Sequence, residues 1–336
     1  MPTPTLHFLN VGEGDCSIIQ HGSGHVSVID VCRARIENLQ EMQKGLSSLR
    51  AAERGIYGNF NQKRHPVNPI AYMATRGISS VFRFILSHPD MDHLDGIADF
   101  FEIFEPTNFY DIDNTIEKDS GWSGGRYREE DWTFYKDMRD GIDAHGAKRL
   151  TLHAPALGAY RTQDWDGNPP GDAITILAPS PGLVTAAEEC GDWNDCSYVV
   201  LYRAHKCNVV FGGDSHDGTW EYILNRFPDE VADVDLLIAP HHGRDSERSY
   251  DFLDTLKPRL TFFGSARSEH LAYAAWQSRG LRFITNNQAG SMIVQFDKAG
   301  MHLHATHKAF AEKLNTDAVY DEELQAYYCE TLPSSG

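Results

Sequence analysis

The 336-residue chain is long enough for a sizeable core, and its 41% hydrophobic and 23% charged residues are ordinary for a water-borne globular protein. No run of about 18 apolar residues is present to span a bilayer, and MPTPTLHFLNVGEGD lacks a basic segment followed by an apolar core, so no membrane association and no secretion signal are expected. A net charge of −18 repels a phosphate backbone at long range and argues against strong non-specific DNA binding, although bound divalent cations would invert the sign locally.

Along the chain, LHFLNVGEGDCSIIQHGSGHVSVIDV reads as two strands, SIIQ and VSVIDV, among the turn sequences GEGD and HGSGH. Ile36, Leu39, Met42, Leu46 and Leu49 recur every three or four residues, which predicts an amphipathic helix over 34–54. The loop IYGNFNQKRHPVNP and a further helix follow, and then VFRFILSH is a strand leading into SHPDMDHLDG, with a helix beginning at LDGIADFFEIFE. Residues 105–170, with Trp122, Trp132, Trp165 and the turn-rich DWDGNPPGD, read as an insertion, as does 33–75. Strands resume at AITILAP, SYVVLYRA, CNVVFGGD and DLLIAPHHG, with a helical WEYILNRF between the last two. YDFLDTLKP (helix), LTFFGSA (strand), AYAAWQSRG (helix), FITNN and SMIVQFD (strands) complete a 1–310 body. The interleaving predicts an α/β fold of helix-covered sheets. Residues 311–336, six acids against one base, read as a peripheral acidic tail. Six cysteines without a CxxC pair point to reduced, buried thiols and a cytoplasmic setting.

Four predicted strands end in acids or histidines: Asp30 in VIDV, His88, Asp90, Asp92 and His93 in SHPDMDH, Asp214 in FGGDS, and His241 and His242 in APHHG. Loops that follow buried strands are where α/β proteins build sites. One HxDxDH segment is compatible with a solvated loop in an acidic protein; four converging strand ends favour a metal site. Asp95 is read as a helix-start acid that complements the helix dipole, not as a ligand.

These segments resemble the metallo-β-lactamase-fold hydrolases, and within them most closely the soluble nuclease-like domain of ComEC-type competence proteins. NVGEGDCSII is similar to that group's opening VGQGD strand, SHPDMDHLDG to its HxDxDHxxG metal motif, DWNDCSYVVLY to its Asn-x-x-Ser strand, VVFGGD to its Gly-Asp and APHHG to its His-His-Gly. The resemblance covers nearly all the chain outside 33–75 and 105–170. It implies an αββα sandwich with two divalent metal ions, Zn or Mn, at one edge. His88 and Asp90 would bind the first ion, Asp92 and His93 the second, and Asp214 would bridge them. His242, or else His241, would complete the second site. Two ions held about 3.5–4 Å apart acidify a shared water to hydroxide and stabilise charge on the attacked centre.

Two departures shape the expectation. Asp90 stands where lactamases and glyoxalases of this fold usually have histidine, and Asn194 and Ser197 occupy the segment where a further histidine ligand is usual. An oxygen-rich set admits Mn²⁺ alongside Zn²⁺ and weakens a lactamase reading. Asp30 and Asp15 are expected to orient ligands, Asp15 equally to stabilise its turn. Arg244, where the group usually has serine, is a candidate phosphate contact or a plain surface arginine, and His270 a candidate catalytic residue on the substrate side. His205 and His216 read as incidental. The expected activity is a two-metal phosphodiesterase or nuclease, with Asp92 and Asp214 at its centre and a nucleic acid or nucleotide as substrate. The alternative is a hydrolase of a small non-nucleotide ester, amide or lactone; a non-enzymatic regulator is disfavoured by the nearly complete ligand set. Residues 33–65 carry seven bases against three acids, which suits an anionic substrate or simply a solvated helix face.

Overall fold

A computed structural model of the chain describes residues 2–38, 60–118, 125–156, 171–245, 248–264 and 271–334. Most of the predicted 34–54 helix lies outside these residues, as do His270, Lys44, Arg50 and Arg54.

Period-two burial builds the body. Ile29, Ile85, Val200 and Val209 point into one cluster together with Phe8, Phe211, Phe262 and Phe296, which fills the space between two sheets. Their chain neighbours Val28 and Phe84 point the opposite way, onto Phe100, Phe101 and Trp132 of covering helices. Val199 and Val210 do the same on the second sheet, against Trp220, Ile223 and Trp276. Three apolar layers separated by two sheets make an αββα sandwich, the arrangement the resemblance implies.

The first sheet runs in the order Tyr320–Asp321, Ala326–Pro333, Gly300–Ala305, Met292–Asp297, Thr5–Phe8, Ser17–Gln20, Val26–Ile29, Arg83–Ile85, Asn108–Tyr110 and Lys148–Leu150. The second runs Phe283–Thr285, Leu260–Phe263, Leu236–Ile238, Cys207–Phe211, Val199–Ala204 and Ile174–Ala178. Val26–Ile29 and Arg83–Ile85 are parallel neighbours, and so are Cys207–Phe211 and Leu236–Ile238. All four end toward one edge of the sandwich, two from each sheet.

Three sequence readings change. The opening stretch holds a third strand, Thr5–Phe8, paired with both Ser17–Gln20 and Met292–Asp297. Residues 105–170 are not wholly an insertion, because Asn108–Tyr110 and Lys148–Leu150 extend the first sheet. The acidic C-terminal stretch is not peripheral either. Ala326–Pro333 pairs antiparallel with Gly300–Ala305, and Glu330 forms an ion pair with Arg282. All six cysteines are free thiols, five of them buried.

Candidate metal centre

The site forms where the four strand ends meet. After Ile29 the chain turns through Asp30 in the left-handed region, at φ 59°, a conformation Asp tolerates better than most residues. Both Asp30 oxygens are used: Oδ1 accepts from the Ser87 backbone N at 2.6 Å, and Oδ2 accepts from Ser87 Oγ at 2.7 Å. Oδ2 also lies 2.8 Å from His93 Nδ1. Asp30 therefore fixes both the SHPDMDH loop and the His93 ring. His88 Nδ1 lies 3.1 Å from Ser87 Oγ.

From the second sheet, Gly213 (φ 52°) turns the chain so that Asp214 faces inward. A Cβ at Gly213 would come 2.8 Å from Ser197 Cβ and 2.9 Å from the Tyr198 carbonyl, so only glycine fits. Ser197 Oγ accepts from the Asp214 backbone N at 3.1 Å. Asn194 sits one turn earlier, in the 3-10 helix Trp193–Cys196, where its backbone N donates to Asp192. His241 and His242 both lie at positive φ, 52° and 57°, and this tight turn throws two adjacent rings toward the same carboxylate. Gly14 of GEGD packs against the Asp92 carbonyl, which a Cβ would approach to 2.1 Å, and this close approach carries Asp15 to His242.

His93 Nε2 stands 3.4 Å from Asp214 Oδ1. His88 Nε2 is 3.8 Å from Asp214 Oδ2 and 3.6 Å from Asp90 Oδ2. His242 Nε2 is 3.6 Å from Asp92 Oδ2 and 3.8 Å from Asp214 Oδ2, and His241 Nε2 is 3.6 Å from Asp214 Oδ2. These separations are too long for hydrogen bonds. They match donors arranged about a common ion, since tetrahedral ligands about 2.0–2.1 Å from a metal stand about 3.4 Å from each other.

Burial sharpens the point. The Nε2 atoms of His88, His93 and His242 and the Oδ1 of Asp214 are buried with no hydrogen-bond partner. Buried polar atoms without partners are costly, and four facing one another is what a cation site requires. Among the described residues three donor sets lie within 4.8 Å internally: His88, His93 and Asp214; Asp92, His93 and His242; and Asp15, Asp214 and His242. The residues therefore fit a pair of divalent ions, with Asp214 common to both sides.

The electrostatics agree. Burial alone would raise the Asp214 carboxyl, yet His242, His93 and His88 hold it well below the usual carboxylate range. Burial likewise opposes charge on His93 and His242, but Asp214 and Asp30 hold His93 well above its ordinary value, and Asp15 and Asp214 do so for His242. Asp92 is lowered against its burial by His242 and His93, and Asp90 by His88 and Lys118. Excess negative charge at this edge is thus balanced by protons on histidine when cations do not balance it.

The remaining candidates fall into place as follows. Asp15 Oδ1 lies 3.0 Å from His242 Nδ1, at ion-pair distance although not aligned as a hydrogen bond. Arg244 is exposed; its backbone N donates to the His241 carbonyl and its own carbonyl accepts from Tyr250. Asp95 is not in the first turn of the following helix, Ile97–Phe104. It precedes that helix and binds Arg35 Nε at 2.7 Å and the Arg33 backbone N at 3.1 Å, so a buried arginine rather than a helix dipole accounts for it.

Lys118 and Arg248 went unread in the sequence, and His216, read there as incidental, lies at the site as well. Lys118 Nζ is 2.7 Å from Asp90 Oδ1. Arg248 Nη2 is 2.8 Å from His241 Nδ1. His216, whose Nδ1 is 3.1 Å from Asp192 Oδ2, stacks 6.2 Å from His241 and keeps a buried, unpartnered Nε2. Its place two residues after Asp214 was the available signal. Lys118 and Arg248 belong to no motif.

No protein-family model matches the chain, and no curated protein sequence is similar to it. Solved structures do overlay on it. The metallo-beta-lactamase fold protein YhfI from Bacillus subtilis is 13% identical, over 86% of this chain and 99% of that one, with a TM-score of 0.45. Igni18, a metallo hydrolase from the archaeon Ignicoccus hospitalis, is 12% identical over 88% of this chain and all of its own, with a TM-score of 0.44. Tm1679, a metal-dependent hydrolase of the beta-lactamase superfamily, is 13% identical over 86% and 98%, at 0.42. Overlays this loose carry nothing about substrate. The fold rests on its own strand order and packing, and the site on its own donor atoms.

Proposed function

We propose that the chain is a two-metal-dependent hydrolase, and that its substrate is a phosphodiester. The observation that carries the reading is the set of buried, unpartnered Nε2 atoms of His88, His93 and His242, which converge on the two carboxylate oxygens of Asp214 at 3.4–3.8 Å. When bound, a pair of divalent cations supplies an acidified water as nucleophile and neutralises charge on the attacked group and the leaving oxygen. His88 and Asp90 would hold one ion, Asp92, His93 and His242 the other, and Asp214 both. Asp30 and Asp15 orient His93 and His242 from the outer side. Three carboxylates among these donors, Asp90, Asp92 and Asp214, make the set oxygen-rich, which suits Mn²⁺ as well as Zn²⁺. Lys118, partly exposed beside Asp90, places a cation where an anionic substrate would approach. The net charge of −18 favours a nucleotide or short oligonucleotide over a long polymer, and equally leaves room for a small non-nucleotide ester.

The test is hydrolysis of plasmid, single-stranded DNA, cyclic dinucleotides and a small lactone or ester, with Mn²⁺ or Zn²⁺ supplied. Cleavage of a phosphodiester that is lost in Asp92→Ala is expected. Metal-dependent turnover of the ester alone would reject the phosphodiester reading and keep the hydrolase.

A further inference from the structure

The Nδ1 partner of each ring decides what its Nε2 offers. An imidazole that donates from Nδ1 keeps a lone pair on Nε2; a neutral one that accepts at Nδ1 carries its proton on Nε2. Asp30 faces His93 Nδ1 at 2.8 Å and Asp15 faces His242 Nδ1 at 3.0 Å, and a carboxylate only accepts. Ser87 Oγ gives its proton to Asp30 Oδ2 at 2.7 Å and so accepts from His88 Nδ1 at 3.1 Å. His93 and His88 are thus held with a proton on Nδ1, so that each ring, once neutral, presents its Nε2 lone pair to the centre, and Asp15 stands at ion-pair distance behind His242.

His241 is the exception. Its Nδ1 faces Arg248 Nη2 at 2.8 Å, and a guanidinium only donates. The neutral ring then carries its proton on Nε2, the atom 3.6 Å from Asp214 Oδ2. Arg248 is not free to leave: it is buried and also donates to the carbonyls of Ser215 and Asp214. On the same side Lys118 Nζ takes Asp90 Oδ1 at 2.7 Å, leaving only Oδ2 toward His88 Nε2. Neither Asp90 nor His241 belongs to any of the compact donor sets among the described residues.

We propose that the two cation positions are unequal by construction: the one bounded by Asp92, His93, His242 and Asp214 fills first, and Lys118 and Arg248 weaken the one bounded by His88, Asp90 and His241. An ammonium already paired with Asp90 offsets one negative charge that an incoming dication would meet, and a ring whose Nδ1 accepts from an anchored guanidinium must give up that hydrogen bond or turn over before its Nε2 can ligate. On the opposite side the outer partners are carboxylates, which make the rings more basic donors. The inference rests on the two-metal reading of the site and is independent of the substrate.

Calorimetric titration of the metal-free full-length protein with Zn²⁺ or Mn²⁺, with equilibrium dialysis for stoichiometry and no substrate present, tests it. Two steps are expected, their dissociation constants differing by about 100-fold, with Lys118→Met tightening the weaker step by about tenfold and leaving the stronger one unchanged. His242→Ala is expected to abolish the stronger step. Arg248→Met risks the fold because its guanidinium holds two buried carbonyls, so the ¹⁵N shifts of His241 in the wild type serve for that residue, with the proton expected on Nε2. Two equal steps, a weaker step unmoved or loosened in Lys118→Met, or a single step that this variant does not convert to two, would overturn the proposal. Failure to bind any ion would instead remove the two-metal reading beneath it.

Discussion

The strands Val26–Ile29 and Arg83–Ile85 carry a charged cluster at each end, and the two clusters solve the same problem differently. At their start, Asp172 is buried against Arg83 Nη2 and His25 Nδ1, both at 3.0 Å, with Ser23 Oγ donating to its other oxygen at 2.6 Å. Arg83 also donates to Ser27 Oγ at 2.6 Å and to the Tyr110 hydroxyl at 3.1 Å. At their finish, among the described residues, Asp15, Asp30, Asp90, Asp92 and Asp214 have one lysine or arginine ion pair, Lys118 on Asp90, and three histidine Nε2 atoms are left without partners. Similar residue types thus make a closed strut where the chain supplies the counter-charge and an open receptor where it does not. Being histidine-rich and acidic does not make a metal site; being so with unmatched donors does.

Cutting the strut has the largest expected effect. Arg83→Met leaves Asp172 buried with only His25 and Ser23 as partners, and a loss of about 3 kcal/mol in unfolding free energy is expected by denaturant titration. Metal stoichiometry of the folded fraction should not change. The receptor end should respond the other way. Zn²⁺ or Mn²⁺ at 100 times its dissociation constant adds about 2.7 kcal/mol to the wild type, and next to nothing to Asp214→Ala, measured by the shift in thermal midpoint.

The third effect is in pH, and its sign differs between the ends. Burial lowers His21, which hydrogen-bonds Ser27 at the strut end, to about 4 from its ordinary 6.5. The unfolded chain therefore binds a proton that the folded one refuses between those values. Its contribution is present above pH 6.5 and is lost as pH falls toward 4, at most about 1.4 kcal/mol per pH unit. At the receptor end, His93 and His242 are raised in the metal-free protein, so their contribution is present below pH 6.5 and is lost as pH climbs through their folded values. Stability curves against pH for wild type, His21→Gln and His242→Gln, without metal, should separate the acid limb from the alkaline one. A His242→Gln curve that retains the full alkaline loss would contradict the assignment.

What could be read in advance follows from range. SHPDMDH is a local pattern, and strand, acid and turn stand side by side at Asp30, Asp214 and His241–His242, so both sandwich and centre were legible from short stretches. Lys118 on Asp90, Arg248 on the Ser215 and Asp214 carbonyls, and the Arg83–Asp172 pair are contacts between distant segments, and a lone basic residue in a loop announces no partner. Asn108–Tyr110 and Lys148–Leu150 are three residues each, too short for a period of two to show. The last strand was hidden for another reason. Its acids suggested a solvated tail, whereas Cys329 is buried, Tyr327 and Tyr328 are partly so, and Glu330 turns outward onto Arg282.

The central claim is that the unmatched donors are one cation receptor, and anomalous diffraction from crystals of the protein soaked in Mn²⁺ or Zn²⁺ addresses it most directly. A strong peak is expected, bounded by the Nε2 atoms of His93 and His242 and the carboxylates of Asp92 and Asp214, with any weaker second peak beside His88 and Asp90. No peak among these residues, with the three Nε2 atoms engaged by protein groups instead, would contradict it.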